Sequence, residues 1–215
     1  IHLAVKELSH IMRGQEVPMG HTAASVGRTA HTVYEPIGVV VAVSAFNHPL
    51  NLIIHQVVPA IAVGCPVIVK PAATTPLNCL RFVELVHEAG LPAGWCQTCV
   101  CDNDVAEKLV TSERINFFSF IGSAKVGWFL RSQLAAGVRC ALEHGGAAPV
   151  IVDETADLET AIPSLLKGGF YHAGQVCVSV QRVFAHEAIA AELAQRLAAG
   201  AAKLVVGDPA LAETE

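Results

Sequence analysis

The chain has 215 residues, 53% of them hydrophobic and 15% charged, with a formal net charge of -5. That length holds a sizeable core in one or two domains, and the composition argues against disorder. The acidic balance and the lack of any Lys/Arg run exclude a protein built to neutralise a phosphate backbone, so nucleic acid is not an expected partner.

Residues 15–32 are polar, glycine-bearing and weakly alternating, a pattern that fits a loop or an exposed hairpin. Residues 38–45 form a β-branched apolar run of strand length, and after a polar turn a helix is predicted over 50–63. A second strand follows at 66–69. Apolar residues at Leu77, Leu80, Val83, Leu85 and Val86, stopped by Gly90, then predict a helix over 77–89. The alternation continues with strands at 95–100, 115–120 and 139–142 and helices at 104–110 and 123–135. Fully apolar strands alternating with helices predict a parallel sheet covered on both faces, an α/β fold.

From Pro149 the order restarts, with a strand at 150–152, a helix opening near Asp157, a turn before Cys177, a strand at 182–185 and an Ala-rich helix over 188–202. Glycine tolerates a sharp change of direction, so a domain boundary is expected near Gly145-Gly146. The longest apolar stretch, residues 50–65, is broken by Asn51, His55, Gln56 and Pro59 and falls short of the roughly 20 apolar residues of a membrane span; it reads as a buried helix. No basic segment precedes an apolar core at the start. Seven cysteines, an odd number without the spacing of a disulfide scaffold, fit a reducing cytoplasm. With Ile1 in first place, the chain reads as an excerpt of a longer protein.

Two residues beside glycine-rich backbone suggest covalent catalysis with a separate base: the thiol of Cys177 in Gly174-Gln175-Val176-Cys177, and the carboxylate in Leu142-Glu143-His144-Gly145-Gly146. A cysteine by itself is usually a small buried hydrophobe, the reading kept for Cys65, Cys79, Cys96, Cys99, Cys101 and Cys140. Cys96, Cys99 and Cys101 also form a C-x2-C-x-C cluster, but zinc needs a second ligand pair and the nearest candidate, His87, belongs to another helix; no metal is expected. Glu143 reads either as a strand-terminal surface acid or as a base aimed into a pocket. Asn47, in Phe46-Asn47-His48-Pro49, is a turn former or an oxyanion donor. Lys70, in Val69-Lys70-Pro71, ends a strand at the sheet edge where open α/β folds bind nucleotides. Gly122-Ser123, with Gly127 on the first turns, opens a helix after a strand and reads as a cap or as an anion site. His172, five residues before Cys177, raises a thiol hydrolase as an alternative, although such enzymes draw their histidine from far along the chain.

With Phe120-Ile121-Gly122-Ser123, these motifs make the chain resemble the aldehyde dehydrogenase superfamily from about Tyr34 to its end. The resemblance implies a Rossmann-like cofactor domain over 37–144, the first part of a catalytic α/β domain over 145–215, and before them a segment, 1–36, with an oligomerisation hairpin. It also implies oxidation of a small aldehyde with NAD or NADP in a homodimer or homotetramer. Cys177 then takes the role of nucleophile, Asn47 that of oxyanion donor, and Glu143 that of the base activating the hydrolytic water; Lys70, Ala73, Gly122, Ser123, Val126 and Gly127 would hold the nucleotide. Ala73 stands where many NAD-preferring members carry a glutamate, and His48 where many have an apolar residue, a place from which it would sense substrate polarity. The surrounding motifs look like those of members acting on small polar or phosphonate-bearing aldehydes. A cofactor-binding or oligomer-forming fragment without activity of its own is the other reading.

Overall fold

A computed structural model describes residues 1–214, in two units: Ile1–Glu143 and the described residues from His144 onward. The first opens with helix α1 (His2–Ile11), whose apolar Ala4, Leu8 and Ile11 fall at helical spacing although no side chain of the helix is buried. Strands β1 (Glu16–Val17) and β2 (Ala30–His31) pair antiparallel, Glu16 opposite His31, so of the loop and hairpin readings the hairpin forms.

Five strands and four helices then alternate: β3 (Val40–Val43), α2 (Pro49–Ala62), β4 (Val67–Lys70), α3 (Leu77–Glu88), β5 (Cys96–Thr98), α4 (Asn103–Val110), β6 (Phe117–Ile121), α5 (Ala124–Ser132) and β7 (Arg139–Glu143). The strands form one parallel sheet in the order β5-β4-β3-β6-β7. Alternate side chains of β3 serve opposite faces, as the two-residue strand period requires. Val40 and Ala42 pack with Ile53 and Val57 of α2 and with Cys79 and Phe82 of α3, whereas Val41 packs with Val110, Phe118 and Leu130. A strand buried on both faces can be apolar throughout, which is what residues 38–45 look like in the sequence.

The boundaries depart from the pattern for local reasons. Ile115 is buried in the core, yet the ladder starts two residues later, because the Asn116 side chain accepts the Val39 N–H at 2.9 Å and closes the entry to β6. Helix α5 stops at Ser132, and Gly137, at φ +85°, turns the chain into β7.

In the second unit β8 (Pro149–Val152) leads to α6 (Leu158–Phe170), and β9 (Arg182–Ala185) pairs parallel to β8 before α7 (Glu187–Ala201). Val152, Ile162, Leu165 and Leu193 form its core. Among the described residues no helix is long and apolar enough to cross a membrane.

Candidate functional site

In the first unit every sequence-predicted polar residue lies at the carboxyl edge of the five-stranded sheet. β3 ends at Val43, and the N–H of Ser44 donates to the Lys70 carbonyl at 3.0 Å, tying the exit of β3 to the end of β4. Residues 44–48 turn, carrying Asn47, and Pro49 opens α2 with a φ already suited to a helix.

Two turns into α2, Gln56 reaches back to the sheet. Its Nε2 lies 3.2 Å from the Val43 carbonyl, 3.1 Å from the Ser119 carbonyl and 3.0 Å from Ser119 Oγ, with only 7% of the residue exposed. β3 and β6 are the neighbours between which the strand order reverses, where chains leave the sheet in opposite directions and open a crevice. Gln56 clamps that opening. In the sequence it only interrupts an apolar stretch; a single amide inside an otherwise buried helix was the available signal, since such a group has to find partners.

Lys70 is the last residue of β4 and is 7% exposed, and Ala73 lies exposed in the following turn. At the end of β6, Gly122 donates its N–H to the Glu143 carbonyl at 3.0 Å, one step beyond the Ile121–Glu143 pair. A Cβ on Gly122 would come within 2.7 Å of the Phe120 ring, so only glycine fits. Ser123 caps α5, its Oγ accepting from the Val126 N–H at 3.4 Å, and Gly127, buried, closes the first helical bond onto the Ser123 carbonyl. Such an opening turn gathers backbone N–H groups and the positive end of the helix dipole, a seat for an anion. Glu143 is exposed at the end of β7. Asn47, Lys70, Gly122-Ser123 and Glu143 therefore follow four adjacent strands.

The second unit holds the thiol. Of the seven cysteines Cys65, Cys79 and Cys96 are buried, Cys99, Cys101 and Cys140 half-buried, and Cys177 is exposed. After α6 the chain takes three consecutive left-handed residues, His172 (φ 53°), Ala173 (φ 55°) and Gly174 (φ 72°). For the two that are not glycine this costs about 1–3 kcal/mol each, sustained only where surroundings enforce it. The enforcement is visible. Ser179, 3% exposed, donates its Oγ–H to the Gly174 carbonyl at 2.9 Å, its N–H donates to the Val176 carbonyl at 3.0 Å, and the Val180 N–H donates to the Gly168 carbonyl at 3.0 Å. Gly168 and Gly169 let this segment lie against α6: a Cβ on the first would meet Val180 Cγ2 at 3.0 Å, and one on the second the Val180 carbonyl oxygen at 3.4 Å. Ser179 and the glycine pair are contributors that sequence reading missed; two adjacent glycines inside an amphipathic helix were the signal. The His172 ring rests on that of Tyr171, centroids 4.0 Å apart.

Cys96 points into the core of the sheet unit, where burial pushes its thiol up to about 11, and burial likewise raises Cys79 beside Thr98. The C-x2-C-x-C cluster is thereby split between core and surface. Among the described residues no three His, Cys, Asp or Glu side chains gather to hold a metal ion.

Residues 1–215 match the family model described as the aldehyde dehydrogenase family. A 3-sulfolactaldehyde dehydrogenase of Priestia aryabhattai is 40% identical over 217 residues, covering 100% of this chain and 45% of the relative. Aldehyde dehydrogenase 21 from Physcomitrella patens, solved with the reaction product succinate, superposes with a TM-score of 0.91 at 36% identity over 99% of this chain and 44% of its own. A glyceraldehyde-3-phosphate dehydrogenase from Methanocaldococcus jannaschii, solved with NADP, gives 0.87 at 34% identity over 99% and 46%. The chain thus spans less than half the length of the proteins it matches.

Proposed function

This chain belongs to the aldehyde dehydrogenase family, and on that premise we propose that the protein oxidises an aldehyde to a carboxylic acid with NAD or NADP. The observation that carries this reading is the row of Asn47, Lys70, Gly122-Ser123 and Glu143 after adjacent strands of one sheet, together with an exposed Cys177 in a hydrogen-bonded turn. The first unit, as cofactor domain, would hold the nucleotide, and the second would be the start of the catalytic domain.

The nucleotide fits the residues present. Gly122 leaves no room for a side chain between the end of β6 and the opening of α5, so backbone N–H groups there can close on a pyrophosphate, Val126 and Gly127 forming the wall of the first turn. Lys70 and Ala73 lie two strands away, where they would hold the adenosine ribose. Bound so, the nicotinamide supplies the hydride acceptor.

Cys177 attacks the aldehyde carbon as the thiolate and forms a thiohemiacetal, which hydride loss turns into a thioester. Asn47 donates its amide N–H to the oxyanion, a contribution of about 3 kcal/mol for one donor. Glu143 takes a proton from the water that attacks the thioester, releasing the acid and restoring the thiol. A small anion-bearing aldehyde is the substrate class we favour, because a 40% identical relative is a 3-sulfolactaldehyde dehydrogenase. The exposed valines of the hairpin region, Val17, Val26 and Val33, support a homodimer or homotetramer joined through it, and the cysteine content supports a reducing cytoplasm.

Full-length protein assayed over a panel of neutral, phosphorylated and sulfonated aldehydes, with each nucleotide, tests the reading. Aldehyde-dependent reduction of the nucleotide that vanishes in Cys177→Ala supports it. Aldehyde-independent thioester or peptide cleavage through the same thiol would turn it into a thiol hydrolase, and nucleotide binding without any turnover would leave a binding module.

A further inference from the structure

Cys99 and Cys101 have no part in the proposed reaction, yet they occupy its cofactor edge. The Cys99 N–H donates to the Val69 carbonyl at 2.9 Å, which extends the β4–β5 ladder one step past the Val69–Thr98 pair. The next residue of β4 is Lys70. Beyond Cys99 the chain has no regular structure until α4 opens at Asn103, its first helical bond running from the Ala106 N–H to the Asp102 carbonyl at 3.0 Å. One residue separates Cys99 from Cys101 just past the end of β5, and their side chains meet, interacting by hydrogen bond and charge, while the Lys70 ammonium acts on Cys101. Both thiols are half-buried, reachable by a small reagent, while Cys96 is sealed in the core.

We propose that Cys99 and Cys101 are a redox-sensitive dithiol that closes to a disulfide by exchange with a low-molecular-weight disulfide, and that closure weakens nucleotide binding at Lys70. The coupling to the nucleotide rests on the function proposed above; the dithiol itself does not. In the exchange one cysteine thiolate attacks a sulfur of the reagent, forming a mixed disulfide and expelling one small thiol. The second cysteine attacks the protein sulfur of the mixed disulfide and expels the other. The protein loses two electrons and two protons, and the reagent gains them as two thiols.

Closure is felt next door, because a disulfide holds its Cα atoms at about 5.5–6 Å with a fixed torsion about the S–S bond, so joining Cys99 to Cys101 resets the backbone between β5 and α4. That shift moves Cys101 relative to Lys70 and reshapes the wall beside it. Burial, the Cys99 hydrogen bond and Asp102 all hold the Cys101 thiol protonated, with Lys70 opposing them. The pair therefore resists casual oxidation at neutral pH and responds slowly, to excess disulfide.

The test uses full-length protein carrying Cys177→Ala, so that the exposed nucleophile is not the target. After treatment with oxidised glutathione, the peptide spanning both residues is expected two hydrogens lighter and free of glutathione, and the dissociation constant for NADP, read by fluorescence, rises by about tenfold or more. Dithiothreitol reverses both. Cys99→Ser and Cys101→Ser each retain a glutathione adduct on the remaining thiol, and the double variant keeps nucleotide affinity unchanged by oxidant. Absence of the cross-link while Cys140 is modified overturns the dithiol. A cross-link with unchanged affinity overturns its coupling to the nucleotide. If the untreated protein binds neither nucleotide, the functional reading and the coupling fall together, while the peptide mass still decides the dithiol.

Discussion

The two units hold their chemistry in opposite ways. In the first, Asn47, Lys70 and Gly122-Ser123 stand at the ends of strands that are largely buried, Val41 and Val69 being 0% exposed, while β7, which carries Glu143, alternates exposed and half-buried residues; the turns that follow are tied to the ladder by Ser44 to Lys70 and Gly122 to Glu143. In the second, a two-stranded sheet leaves Ile151 83% and Phe184 58% exposed, and the thiol lies on a turn with left-handed residues held by side-chain and backbone bonds to α6. The contrast teaches that binding geometry can be supplied by a sheet closed on both faces, whereas a reactive group can be presented by local constraint on a helix end.

The contrast breaks most sharply at the thiol. Cys177→Ala is expected to abolish aldehyde oxidation and any esterase activity while the nucleotide dissociation constant stays within about twofold, since the proposed nucleotide contacts belong to the other unit. Esterase turnover at the wild-type rate would remove Cys177 from its role. For Glu143→Gln, at the sheet edge, turnover should fall by about 10²–10⁴-fold while the first equivalent of reduced nucleotide still forms rapidly, because the base is needed only after hydride loss. Stopped-flow absorbance separates the two phases, and loss of both would give Glu143 a structural or earlier role.

Gln56→Leu tests whether the sheet unit depends on its clamp. Two buried carbonyls and a hydroxyl lose their shared donor, so stability should drop by about 2–4 kcal/mol, seen in chemical denaturation, with Cys177 reactivity toward iodoacetamide unaltered. An unchanged denaturation midpoint would mean that water or rearrangement replaces the amide.

Cofactor choice is a smaller effect. Ala73 places no carboxylate to repel a 2′-phosphate, and Lys70 can pair with one, so the preference between NAD and NADP should stay below about a hundredfold, or 2.7 kcal/mol. Titration of both nucleotides checks this, and strict exclusion of NADP would point to another acid or to the backbone as the gate.

The smallest effect lies in alkali. The Cys96 thiol, ordinarily near 9.0, stands at about 11 in the fold. Below pH 9 it is protonated folded or unfolded and has no influence. Between pH 9 and 11 the unfolded chain gives up the proton first, so stability falls as pH rises through that window and is lost to this extent above it. The loss should begin in the sheet unit and be reduced in Cys96→Ala, the remainder coming from the buried Cys79 thiol, as denaturation at pH 8 and 10.5 would reveal.

Much of the sheet unit was legible in the sequence because strands buried on both faces have to be apolar throughout, and the turns between them are marked by glycine, proline and asparagine. The motif residues Asn47, Lys70, Gly122, Ser123, Glu143 and Cys177 were singled out by their resemblance to the aldehyde dehydrogenase superfamily; their local setting alone left a turn, cap, surface or core role open for each. Helix α1 escaped although Ala4, Leu8 and Ile11 are spaced for a helix, because the stripe is short and interleaved with the exposed Leu3 and Val5. What only tertiary structure decided is which polar groups meet. Gln56 looked like a flaw in an apolar helix until the reversal of strand order brought the ends of β3 and β6 within reach of one amide. Ser179, Gly168 and Gly169 looked ordinary until the segment after the thiol lay back on α6. Cys96, Cys99 and Cys101 are near neighbours in the chain, yet a strand's alternation and its end sent the first into the core and left the other two beside Lys70. Sequence spacing sets which side chains share a face, but the free energy of burying apolar surface from distant segments sets which of those faces come together.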